Sequence, residues 1–167
     1  MKASAWMMGA AVLLGAMCAP ALASAASADE ADIRAVQDRI TAAINAKDPA
    51  AIVANYSPDV FVFDLPPPRQ YVGEKAWKED WQGVFAAPAG AGKLDVQDLV
   101  IAVSGDVAYS HAIDHYVSDG PNGTKVELNL RATDVYRKIG GKWLIVQEHL
   151  SVPIDMATGR PDMSSKP

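Results

Sequence analysis

The chain has 167 residues, of which 20 are acidic and 15 are lysine or arginine, giving a formal net charge of −5, and half of its residues are hydrophobic. An acidic balance with no basic run argues against nucleic acid and anionic membrane surfaces as partners. With one cysteine, Cys18, the chain cannot form an internal disulfide.

The N-terminus begins Met1-Lys2, continues in an apolar run from about Ala5 to Ala19, and passes through small residues to the first acids, Asp29 and Glu30. This is the layout of a secretory signal peptide over residues 1–28, cut after Ala28 or, at an alternative small-x-small site, after Ala23. The expected product is periplasmic or secreted and has no cysteine. The apolar run falls short of the roughly 20 residues that span a bilayer, so no stable membrane anchor is expected. Lipidation of Cys18 would need a small residue before it, where Met17 stands. The remainder suits one domain, residues 29–153, followed by a flexible tail over 154–167 containing Gly, Pro, Ser and Lys.

From Asp32 to Ala46, Ile33, Val36, Ile40, Ala43 and Ile44 recur on one helical face. Asp48-Pro49 then supplies a capping acid and a first-turn proline for a short second helix to about Asn55. Val60 to Asp64, in "VFVFDLPPP", reads as a buried strand stopped by three prolines. A third helix is predicted from Glu74 to about Phe85, with Trp77 and Trp81 four apart on one face. Four long strands follow, Leu94–Val103, Val107–Val117, Lys125–Lys138 and Lys142–Val152, separated by hairpin turns. Helices first and an antiparallel meander afterwards define an α+β protein, with the sheet curled around the helices to enclose a pocket.

Asp64 is the first candidate for chemistry. Strand parity puts it on the side of Val60 and Val62. It either caps the turn into the prolines, or stands at the mouth of an apolar pocket where burial tunes its basicity. Other chemistries find little support. His111 and His115 lie on a strand, where four residues separate them by about 13 Å, too far to share one metal ion. There is no Gly-x-Ser-x-Gly nucleophile elbow and no phosphate-binding glycine loop. Neither a metal nor another cofactor is expected.

Three stretches, "NAKDPAAIVANYSPDVFVFD", "YVGEKAWKEDW" and "RATDVYRKIGGKWLIVQEHLS", resemble the SnoaL-like and ketosteroid-isomerase-like branch of the nuclear-transport-factor-2-like superfamily. The resemblance covers about Asp32 to Val152. It implies a cone-shaped, curled antiparallel sheet packed on three N-terminal helices. It also implies a general base at Asp64 and a protonated acid at Asp134 that donates to a developing enolate oxygen, the logic by which ketosteroid isomerase keeps a carboxylic acid neutral. The oxyanion tyrosine of those isomerases would fall at about Ile40, which has no donor, so steroid isomerisation itself is not expected.

The last strand also resembles the association domain of calmodulin-dependent protein kinases, where a tryptophan is followed by a histidine and a serine at this spacing. Parity divides it into two faces, Trp143, Ile145, Gln147, His149 and Ser151 against Leu144, Val146, Glu148 and Leu150. The isomerase analogy puts Asp134, Tyr136 and Glu148 inside, and a bulge would exchange the faces locally.

The resulting expectation is a homodimeric, exported protein that binds a small, largely apolar molecule. Val62, Tyr71, Trp81, Leu130, Tyr136, Val146 and Leu150 are the expected pocket lining. A cofactor-free acid–base enzyme, with Asp64 as base, Asp134 as neutral donor and Glu148 or His149 as auxiliary, is one alternative; a non-catalytic assembly module is the other. The scaffold hosts many unrelated functions, so the fold does not choose between them.

Overall fold

The computed structural model describes residues 19–87, 92–120, 123–163 and 165, without the side chains of 19–27. Residues 1–18, which carry most of the expected signal peptide, lie outside the described residues, as do two residues of the expected turn before Gly123. Three helices, α1 (Ala19–Ala46), α2 (Pro49–Val53) and α3 (Glu74–Ala86), pack on a six-stranded sheet. Its strands are β1 (Tyr56–Phe63), β2 (Tyr71–Val72), β3 (Lys93–Ser104), β4 (Val107–Asp119), β5 (Lys125–Ile139) and β6 (Lys142–Ser151).

The helix α1 starts well before the expected Asp32, because the alanine-rich segment upstream has high helix propensity. Its predicted apolar face is the one that packs: Ile33, Val36, Ile40, Ala43 and Ile44 are all buried. Asp48 caps α2 by accepting the N–H groups of Ala50 and Ala51, each at 3.0 Å. At the entry to α3, Gly73 has φ +87°, and its N–H reaches the Val60 carbonyl at 2.7 Å. A side chain there would be strained in that left-handed conformation.

The sheet order is β2-β1-β6-β5-β4-β3. It is curled and unclosed, and it is mixed rather than wholly antiparallel, since β1 runs parallel to β6. Parallel neighbours cannot be joined by a tight hairpin, and here residues 64–141 lie between the two. The two-residue β2, absent from the sequence-based reading, pairs with the end of β1.

The most consequential irregularity is in β6. Its register with β5 steps from Val135 opposite Gln147 to Tyr136 opposite Ile145, so Val146 is an extra residue. Trp143 and Ile145 are buried on one side of this bulge, and Glu148 is buried on the other. Neither alternating set of the last strand is therefore wholly inside; the bulge exchanges the faces between Ile145 and Glu148.

The described part of the tail has local structure of its own. Ile154 bridges Pro161, the N–H of Asp162 donates to the Pro153 carbonyl at 2.8 Å, and the N–H of Asn129 on β5 donates to the Met163 carbonyl at 2.7 Å. Asp155 holds the intervening turn by accepting the Ala157 N–H at 2.8 Å, so the segment folds back as a small hairpin. No described helix is long and apolar enough to cross a membrane.

Candidate functional site

Between the concave face of the sheet and the helices lies a cavity of about 190 Å³. Its walls are largely apolar. Ile40 and Ile44 come from α1, Trp77, Trp81 and Val84 from α3, and Leu128, Leu130 and Leu150 from the sheet. Five carboxyl groups interrupt this surface: Asp64 just past β1, Asp80 on α3, Asp114 on β4, Asp134 on β5 and Glu148 on β6.

Asp134 and Glu148 are directly opposite each other across the β5–β6 pair, which holds their Cβ atoms about 5 Å apart. Each is embedded in a hydrogen-bond network. The Gln37 side-chain amide donates to Asp134 Oδ2 at 2.6 Å, and the Tyr136 hydroxyl donates to the same oxygen at 3.2 Å. Ser110 lies under them, its Oγ 2.9 Å from the Tyr136 oxygen. The Tyr56 hydroxyl donates to Glu148 Oε2 at 2.6 Å. Burial pushes the Asp134 carboxyl up to about 6, against the pull of its three donors. Glu148 is held well above its ordinary range, by burial first and by the neighbouring Asp134 charge second.

Asp64 combines the two roles between which the sequence could not choose. It accepts the Leu65 N–H at 2.7 Å, as a turn carboxylate does, yet it also lines the cavity. Burial outweighs that hydrogen bond, and the Asp80 charge adds to it, so the Asp64 carboxyl rises to about 6. Asp114 rises to about 7 through burial and the Asp134 charge.

Of the other expected lining residues, Trp81, Leu130 and Leu150 face the cavity. The rest stand apart from it. Val62 is fully buried in the core, and Tyr136 lies beneath the wall as part of the Asp134 network. Tyr71 packs on Trp77 with ring centroids 5.5 Å apart and donates its hydroxyl to Asp80. Val146 is spent on the bulge. His149 is turned to the outer face, where its ring meets Phe63 at 5.5 Å, because the bulge reverses parity before it is reached. It has no access to the cavity as an auxiliary acid or base.

The sequence-based reading missed Gln37, Tyr56, Asp80, Ser110 and Asp114. Ile40 does line the cavity without a donor, as expected, but Gln37, almost one turn earlier on the same helix, supplies a polar group there. Among the described residues no group of three or more His, Cys, Asp or Glu side chains is arranged to hold a metal ion.

These helices, this sheet and this cavity define an α+β cone of the nuclear-transport-factor-2-like type. The SnoaL-like domain family matches residues 33–155, and the chain belongs to that family. An NTF2-like protein of unknown function from Pseudomonas putida is 30% identical, with 84% of this chain and 98% of that one covered at a TM-score of 0.77. A Novosphingobium aromaticivorans protein provisionally assigned as a scytalone dehydratase shares the fold at 15% identity, covering 79% of this chain and 89% of its own with a TM-score of 0.70. A Xanthomonas campestris protein, provisionally assigned as a calcium/calmodulin-dependent protein kinase II association domain, does so at 22% identity, covering 71% and 84% with a TM-score of 0.62. The chain matches none of the curated proteins.

Proposed function

We propose that this protein binds a small, largely apolar molecule in the cavity between sheet and helices. The observation that carries this reading is the cavity itself, apolar in most of its wall and floored by the cross-strand pair Asp134 and Glu148. At about 190 Å³ it is smaller than the roughly 300–1,000 Å³ typical of sites for drug-sized ligands, so the ligand is of single-ring size. Fragment screening by NMR tests the reading, with resonances of Trp81, Leu130 and Glu148 moving together on binding. Fragments that bind only outside this wall would refute it.

A second reading, cofactor-free proton transfer on the bound molecule, is favoured by one feature. Asp64 and Glu148 face the same cavity, and burial raises the proton affinity of both, Asp64 to about 6. A carboxyl tuned toward neutral pH can serve as a general base or acid there. Deuterium wash-in at the α-carbon of a bound ketone tests it. Exchange should require Asp64.

For the N-terminus we propose export, on the signal-like layout of Met1 to Ala28. N-terminal sequencing of protein recovered from the periplasm or medium should begin at Ser24 or Asp29. Soluble protein that keeps Met1 in the cytoplasm would contradict this.

A further inference from the structure

Among the described residues the cavity has five carboxyl groups and not one lysine, arginine or histidine in its wall. Buried acids are ordinarily paired with a cation, because an uncompensated buried charge is costly. Here the ion pairs use other acids: Glu30, Glu79, Glu127, Asp119 and Asp29.

Hydrogen bonds do not close the account either. Asp134 and Glu148 are only 6% and 7% exposed, yet the protein donors to each converge on a single oxygen, Oδ2 and Oε2, leaving Asp134 Oδ1 and Glu148 Oε1 without one. Asp114 lines the same cavity but lies opposite Leu130, four strand residues or about 13 Å along from Asp134. The two free acceptors thus belong to one cross-strand pair and border one space. Trp77 and Trp81 form part of its apolar wall.

We propose that the occupant of the cavity is a small primary amine, its ammonium held between Asp134 and Glu148 and its apolar body against Trp77, Trp81 and Leu130. This rests on the reading of the cavity as a small-molecule site and specifies the ligand's charge. An ammonium brings three donors and the positive charge that no side chain of the wall supplies to these acids. An anion would meet like charge on every side. A neutral ketone offers acceptors only, and so engages the carboxyls only in their protonated form.

Isothermal titration of the purified protein at pH 7.5 with benzylamine and with benzyl alcohol, equal in size and differing in charge, tests the proposal. Benzylamine should bind at least about tenfold more tightly, since a hydrogen bond between charged partners is worth about 1.5–3 kcal/mol. Its binding should release protons, seen as a dependence of the heat on buffer ionisation enthalpy, as the cavity carboxyls that still hold protons at this pH, Asp114 at about 7 among them, give them up to the incoming charge. Glu148→Gln, which keeps an acceptor for the Tyr56 hydroxyl, should abolish most of the preference; Asp134→Asn, which keeps an acceptor for Gln37 and Tyr136, is the second variant. Equal or tighter binding of benzyl alcohol overturns the cationic ligand and leaves the small-molecule site standing. A preference for the amine that survives both substitutions also overturns it, by placing the ammonium elsewhere. If neither compound binds at millimolar concentration, this proposal and the small-molecule reading fall together.

Discussion

Asp64 is both a turn acceptor and a cavity group, and the balance between the two decides its chemistry. The Leu65 N–H stabilises its charged form, while burial and the Asp80 charge disfavour that form and prevail. Asp64→Asn therefore removes a poorly solvated charge and retains a turn-compatible side chain. Urea denaturation at pH 8 should find the variant as stable as the parent or more so, by up to about 1 kcal/mol, and any proton-transfer activity should be lost. A loss of more than about 1 kcal/mol would show that the turn hydrogen bond dominates instead. The neighbouring acids show what the sequence could and could not convey. The parity of Val60, Val62 and Asp64 was legible, and the first two are fully buried. Asp114 obeys the same rule, alternating with Ala108, Ser110 and Ala112 on the inner face of β4. It escaped notice because both faces of that strand carry apolar residues, so alternation does not say which face is inside.

At the scale of elements, the helices were legible because a 3.6-residue apolar period survives packing; the start of α3 and the buried face of α1 agree with it. The parallel pairing of β1 with β6 was not legible, since it depends on how distant parts of the chain close the sheet. Nor was the position of the bulge. Its one additional residue allows Trp143 and Ile145 to join the core while Glu148 and Leu150 face the cavity. Deleting Val146 would leave Ile145 and Gln147 consecutive opposite Tyr136 and Val135, and so restore strict alternation with Trp143, Ile145, Glu148 and Leu150 all still facing inward. The deletion variant should therefore keep its circular dichroism and its ligand binding. A variant that unfolds or loses binding would show that the local kink of the bulge, and not only the pairing on either side of it, is needed to shape the cavity.

The whole molecule has an outer sheet face unlike the rest of its surface. Val100, His111, Thr133, His149 and Phe63 lie opposite one another across five strands, and Ala102, Tyr109, Val135, Gln147 and Phe61 form the next row. Neither row contains an acid, a lysine or an arginine, although 21% of the chain is charged. Val100, Tyr109 and Phe63 are 49%, 50% and 37% exposed. These two uncharged rows, flanked on the same face by Arg131 and Arg137, can meet their own copy about a two-fold axis, and we propose that two copies bury them in a homodimer. Light scattering at micromolar concentration should give twice the chain mass, and Tyr109→Glu should return it to the monomer mass. A monomer at all concentrations would contradict this. The cavity acids bear on the molecule as a whole through pH. Asp64, Asp114 and Asp134 have folded-state values of about 6, 7 and 6, all above the ordinary 3.8. The folded state therefore binds protons more tightly than the unfolded chain does, and the stability they contribute is complete below about pH 4 and lost as the pH rises through 6 to 7. Asp29 and Asp155 act in the opposite sense: Lys138 and Trp143 lower the first, and the turn N–H of Ala157 with Thr158 lowers the second. Their contribution is present above about pH 4 and lost below it. Thermal unfolding should accordingly show a midpoint that climbs on acidification from pH 8 to pH 5 and falls again below about pH 4. Because about 1 kcal/mol moves the midpoint of a domain of this size by roughly 2–8 °C, the climb should amount to several degrees. Asp114→Asn should flatten part of it by raising the midpoint at pH 8 and leaving that at pH 5 nearly unchanged. A midpoint that is level or falling between pH 8 and pH 5 would mean that the cavity carboxyls are hydrated well enough to ionise as they do in the unfolded chain.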